Sequence, residues 1–200
     1  MSGQTPTVGI LAYGSLIDEP GNELGPATVE IIRGVITPFT VEFARKSGSR
    51  GDAPTLVPHP DGGHVMAAIL VLNADINAAS DMLWRRETRC SDRSRGYPGA
   101  QPEKLNAVRV ERISQFHGID LVLFTSITAN VEPLTARELA RLSVASVSQA
   151  NEGLDGLSYL ATAKSNGIVT PLSSAYEEEI LRLTGAGDLW LALSYLRNHA

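Results

Sequence analysis

The stretch Val8-Gly9-Ile10-Leu11-Ala12-Tyr13-Gly14-Ser15-Leu16 decides how the rest of the chain is read. Five apolar residues in a row are too few for a membrane span or a secretion signal, and they match one buried β-strand. The Tyr-Gly-Ser-Leu that follows stops the strand in a turn. A glycine and a small hydroxyl residue at a strand end let backbone N–H groups converge on a ligand, as in an anion-binding nest. An ordinary turn uses the same residue types.

Outward from this strand, the front of the chain continues in strand-like pattern. Residues 28–36 alternate in part, with Val29, Ile31 and Val35 on one parity. Residues 39–44 set Phe39, Val41 and Phe43 on one face and Thr40 and Glu42 on the other. The nearly unbroken apolar run 65–72 reads as a strand covered on both sides. Residues 107–113 alternate again, and 119–127 are apolar and β-branched, which makes six strands. A helix is expected between strands at 76–89. Segments 48–54 and 90–102 read as irregular.

Helices take over after Pro133. Thr135 and Glu138 have the spacing of a capping box, opening a helix that stops near Asn151-Glu152-Gly153. A second helix runs over 154–163 and ends at Asn166-Gly167. Ser174 and Glu177 repeat the capping-box spacing, and Asp188 caps a last helix over 189–196. No interdomain linker interrupts this order. The fold expected is therefore α+β, a single domain over residues 1–200, with a strongly curved or barrel-like mixed β-sheet surrounded by helices.

Composition narrows the function classes. The chain has 200 residues, 43% of them hydrophobic, and carries 17 basic against 22 acidic side chains for a net charge of −5. A chain of this size buries roughly 70% of its unfolded surface and needs no covalent staple. Cys90 is the single cysteine, which excludes an internal disulfide and a thiolate-rich zinc site. The acidic balance argues against a nucleic-acid partner. No apolar run approaches the ~18–20 residues of a spanning helix, and 1–7 lacks the basic and apolar regions of a leader. The expectation is a soluble, cytoplasmic protein without a membrane partner.

Common catalytic signatures are missing: there is no Gly-x-Ser-x-Gly elbow, no Walker loop and no glycine fingerprint after a strand. His59 and His64 flank Pro60-Asp61-Gly62-Gly63 and read as solvated turn histidines rather than a metal pair, so no metal is expected. Cys90 reads as a half-buried structural thiol. Glu87, in Trp84-Arg85-Arg86-Glu87, falls one helical turn after Leu83 at the edge of the buried side. A carboxylate there loses hydration, which raises its pKa toward the range of a general base. The plainer alternative is a surface glutamate paired with its arginine neighbours. Arg85, Arg86, Arg89, Arg93 and Arg95 crowd eleven positions; they serve either to hold a small anion or as a solvated face.

In this order, these segments resemble the γ-glutamylcyclotransferase-like superfamily, its ChaC-type branch in particular. Tyr13-Gly14-Ser15-Leu16 is similar to its glycine-serine loop. Phe43-Ala44-Arg45-Lys46-Ser47 with Arg50-Gly51, Pro54 and Thr55-Leu56-Val57 is similar to the stretch after its early strands, and 65–72 occupies the place of its central strand. Trp84-Arg85-Arg86-Glu87 resembles the helix that carries its catalytic glutamate, and Tyr159-Leu160-Ala161 with the last helices looks like its C-terminal region. The likeness covers roughly 8–185. One departure stands out: the family's glutamate is followed almost at once by Gly-Gly-Tyr, whereas Thr88 to Arg95 intervene here before Gly96-Tyr97.

The resemblance implies an enzyme that needs no cofactor. A γ-glutamyl substrate closes on itself to 5-oxoproline and releases an amine, with Glu87 as general base. Tyr13, Gly14, Ser15 and Leu16 would hold the substrate, with Ser15 a turn residue and not a nucleophile. Arg45 and Arg50 would grip its carboxylates, and Tyr97 or Tyr159 would close the pocket. Two other expectations compete: a non-catalytic module binding a small anionic metabolite on the same fold, and an amide hydrolase in which Glu87 activates water.

Overall fold

The computed structural model describes residues 6–101, 103–104 and 106–199. In chain order the elements are β1 (Val8–Ala12), α1 (Gly21–Ala27), β2 (Thr28–Ile36), β3 (Val41–Ser47), β4 (Ala53–Pro58), β5 (Met66–Leu72), α2 (Ile76–Thr88), β6 (Arg109–Phe116), β7 (Ile119–Ser126), α3 (Ala136–Ser146), α4 (Gly156–Ser165), α5 (Ser173–Thr184) and α6 (Leu189–Asn198). They form an α+β fold in two compact units. The first runs to Thr37 and resumes over Ala67–Thr128; the second takes Pro38–Met66 and the residues from Ala129 on.

The first unit is built on a five-stranded mixed sheet in the order β2-β5-β1-β7-β6. β1 lies at its centre, antiparallel to β5 (Ile10 opposite Leu70) and parallel to β7 (Ile10 opposite Leu123). A central strand flanked on both edges and both faces has no use for polar side chains, which is why 8–12 carry none. Gly9 answers a close approach: a Cβ there would sit 2.6 Å from Ile69 Cγ2. β6 and β7 form a hairpin whose turn residues, His117 and Gly118, both have positive φ, as a tight two-residue hairpin turn requires. Helix α2 packs against β1, β6 and β7, and α1 against α2.

The sheet is open, which corrects the expectation of a barrel-like closure. β2 and β6 are its free edges. Val29 and Ile31, which share a parity with Val35 in the sequence, are 66% and 45% exposed, while Val35 is buried. Gly34, at φ +73°, interrupts the extended backbone just before Val35. β3 joins no strand of this sheet; it pairs antiparallel with β4 as a separate ribbon in the second unit. β4 was hidden within and beyond a segment that reads as irregular, because Pro54 and Pro58 are tolerated only where a strand lacks a neighbour on one side. α1 was equally hidden by Gly21, Gly25 and Pro26; the burial of Leu24 holds this short helix in place.

In the second unit, α3 and α4 pack on β4, and α5 packs on α3. Phe43 meets Tyr159 and Tyr176 edge-on, with ring centroids 6.2 and 5.4 Å apart. Thr135 caps α3 as expected, its Oγ1 accepting the Glu138 N–H at 3.3 Å, and Asp188 caps α6 through the Leu191 N–H at 2.8 Å. The capping box at Ser174 does not form. α5 begins at Ser173, which puts Ser174 inside its first turn, and Glu177 pairs instead with Lys164. The entrance to α5 is served from across the unit: the buried Glu42 carboxylate accepts the Leu172 N–H at 3.2 Å and the Thr170 hydroxyl at 2.6 Å.

Candidate functional site

β1 delivers the chain into a single 3-10 turn over Gly14–Leu16. Gly14 takes φ +68°, a conformation that costs an L-residue side chain about 1–2 kcal/mol. The turn closes through Ile17 N–H to the Gly14 carbonyl at 3.2 Å, and Glu19 N–H reaches the Ser15 carbonyl at 2.9 Å. Its opening N–H groups find no acceptor inside so short a turn. Leu16 is buried and anchors the turn, while Ser15 stays half-buried. Tyr13 turns its phenol away from the turn to donate to the Thr125 carbonyl of β7 at 2.8 Å.

The same apolar cluster takes up α2. Leu16, Val8, Ile10 and Ala12 share it with Ala79 and Leu83. Asp75 starts α2 by accepting the N–H groups of Asn77 and Ala78, each at 2.9 Å, which fixes the helix phase from its first turn. Glu87 follows Leu83 by four residues and so stands on the same side of the helix, one turn further on. Its side chain keeps 28% of its surface exposed, and its Oε1 lies 3.5 Å from Arg86 Nη1. The paired glutamate foreseen as the plain alternative is thus present, at the edge of the buried face.

Tyr97 belongs to the first unit as well. Its N–H donates to Asp81 of α2 at 2.7 Å, and its hydroxyl accepts the Val110 N–H of β6 at 3.1 Å. Tyr97 thereby ties the stretch that follows α2 both to that helix and to the edge strand β6.

The arginine-rich stretch divides by role. Arg85 is buried and forks onto both oxygens of Glu23, at 2.9 and 2.8 Å, while also reaching the Arg95 carbonyl at 2.7 Å. The hydrogen bond from Arg85 holds the Glu23 carboxyl below its ordinary pKa, against a smaller opposing effect of burial. Arg86 gives Nε and Nη2 to the Glu19 carbonyl. The Arg95 guanidinium lies over the Trp84 ring, 5.5 Å from its centroid. Neither a purely solvated face nor five free cations describes this stretch.

Arg45 and Arg50 lie in the second unit. Burial holds the half-buried Arg45 guanidinium below its ordinary pKa. Arg50 is buried, sits 4.8 Å over the Tyr159 ring and donates to the Leu154 carbonyl at 3.4 Å. Tyr159 in turn accepts the Leu56 N–H. Sequence reasoning passed over Glu42, which lines a cavity of about 360 Å³ in this unit with His59, Asp61 and Glu132. Its only signal was a carboxylate on the polar parity of a short strand. Among the described residues, no group of three or more His, Cys, Asp or Glu side chains is placed to hold a metal.

Comparisons of the chain with family models, with curated proteins and with solved structures give no match. Among the described residues, no helix is long and apolar enough to cross a membrane.

Proposed function

We propose that the protein cyclises a γ-glutamyl compound to 5-oxoproline with release of an amine, and that Glu87 is the general base. One observation carries the reading: Leu16 of the glycine-serine turn and Leu83, one helical turn before Glu87, belong to a single buried cluster. Two segments remote in sequence, each resembling a part of the γ-glutamylcyclotransferase-like site, therefore share one rigid support in the first unit.

The chemistry asks little of the protein. The substrate's α-amine attacks its own γ-carbonyl, so the C–N bond of the lactam forms while the original γ-amide C–N bond breaks. Because the two groups belong to one short chain, holding that chain bent supplies most of the advantage. Glu87 takes the proton that the attacking amine must lose and returns it to the departing amine. Backbone N–H groups of Gly14, Ser15 and Leu16 face the oxyanion that develops on the γ-carbonyl. Tyr97, held to α2 and to β6 in the same unit, is proposed as a wall of the pocket.

The test is turnover of glutathione, γ-glutamyl amino acids and γ-glutamyl amines by the wild-type protein and by Glu87→Gln. The substitution keeps the shape and removes the base, so kcat falls by roughly 10²–10⁴-fold with an unchanged melting temperature. A loss below tenfold in a folded variant removes Glu87 from that role.

A further inference from the structure

A cavity of about 290 Å³ opens on the first unit between the start of α1 and the end of α2. Its wall carries Arg85, Arg86, Arg89 and Arg93 together with Cys90, and the one carboxylate among its lining residues is that of Glu23. In a chain of net charge −5, this one hollow gathers an excess of three positive charges.

The four arginines are not equivalent. Arg85 is committed to Glu23 through its paired bonds, and Arg86 spends Nε and Nη2 on the Glu19 carbonyl. Among the described residues, the guanidinium groups of Arg89 and Arg93 make no hydrogen bond or ion pair. Arg93 and Glu23 line the same cavity, and the Arg93 charge adds to that of Arg85 in holding down the Glu23 carboxyl. Arg89 ends α2 at φ +54°, so the chain turns sharply there and carries Cys90 and Arg93 back onto the rim.

Like charges gathered around one hollow repel, and an anion between them relieves the repulsion. A carboxylate neutralises one guanidinium. A phosphate monoester carries about −1.5 to −2 at neutral pH and offers three acceptor oxygens, matching two uncommitted guanidinium groups at once. We propose that this cavity binds a small metabolite through a phosphate group, with Arg89 and Arg93 as its anchors and the Arg85–Glu23 pair as a fixed wall. The cavity volume leaves room beyond the phosphate for several carbon atoms. The proposal is independent of the γ-glutamyl chemistry assigned to Glu87 and stands or falls without it.

Cys90, the single cysteine, reports on occupancy from within the cavity wall. The experiment follows its alkylation by iodoacetamide, read by intact mass, in the presence of inorganic phosphate, glycerol phosphate, succinate or sodium chloride at matched ionic strength. Phosphate and glycerol phosphate are expected to slow labelling roughly tenfold at ten times their Kd. That protection disappears in Arg89→Ala/Arg93→Ala, with the melting temperature retained. Calorimetric titration of phosphate into both proteins gives a direct second reading, with heat of binding only in the wild type. Equal protection by chloride, protection that survives in the double variant, or protection by succinate and not by phosphate would each overturn the assignment.

Discussion

Leu16 and Leu83 are buried in one apolar cluster although four strands separate them along the chain. The first anchors the turn that ends β1; the second lies one turn before Glu87 in α2. Their common burial fixes the turn against the helix, so a change in packing here reaches both proposed halves of the site.

Leu83→Ala tests that connection. Leu83 is fully buried, and truncation leaves a cavity costing about 2–5 kcal/mol. Chemical denaturation should show the loss. If the cluster positions the turn, kcat on the best γ-glutamyl substrate also falls in the protein that remains folded, whereas Leu191→Ala, exposed on α6, changes neither.

Ser15 is assigned to the turn and not to covalent chemistry. Ser15→Ala is therefore expected to keep turnover within about tenfold of wild type, and no acyl-enzyme should accumulate in rapid quench. A loss comparable to that of Glu87→Gln, or a trapped acyl adduct, would make Ser15 a nucleophile.

Glu23 gives a pH-dependent stability effect with a defined sign. Its carboxyl is held below the ordinary value in the folded protein, chiefly by the Arg85 hydrogen bond, so it contributes stability above the unfolded pKa of about 4.3. That contribution is lost as pH falls through the lowered folded value. Glu23→Gln should cost about 1.5–3 kcal/mol at pH 7, and the gap to wild type should narrow in denaturation curves taken at progressively lower pH below about 4.

Tyr176 sets the opposite limit. Burial drives its phenol pKa well above the ordinary value of about 10, against a smaller effect of its hydrogen bond with Ser143. The unfolded chain therefore ionises first, and stability is lost as pH rises above about 10. Tyr176→Phe should be less stable at neutral pH by about 1–3 kcal/mol, since the buried Ser143 hydroxyl loses its partner. The same variant should show a shallower alkaline decline than wild type in thermal melts between pH 9 and 11.

What was legible in the sequence was local. β1 and β5 declared themselves through unbroken apolar runs, and Asp188 and Thr135 through capping chemistry satisfied within one turn of helix. What stayed hidden depends on partners remote in the chain. Val29 and Ile31 have the alternation of a buried strand, but alternation does not say whether a second layer covers the face, and at this edge they are exposed. Ser174 has the spacing of a cap, yet α5 begins where the Glu42 carboxylate, more than a hundred residues away, meets the Leu172 N–H. Arg50 looks like a free anion-gripping arginine until Tyr159 is seen beneath it. The position of Glu87 at the edge of the buried face of α2 was legible by its spacing from Leu83, whereas the pairing of Arg85 with Glu23 left no sequence signal.

The measurement that tests the central claim most directly is the identity of the product. Purified protein is incubated with the γ-glutamyl panel, and the products are resolved by mass spectrometry beside a Glu87→Gln control. The account predicts 5-oxoproline and the free amine in equal amounts from at least one substrate, with lactam formation lost in Glu87→Gln. Free glutamate in place of 5-oxoproline would make Glu87 the activator of a water molecule. Failure of every substrate to give lactam, in protein shown to be folded, would contradict the proposed chemistry.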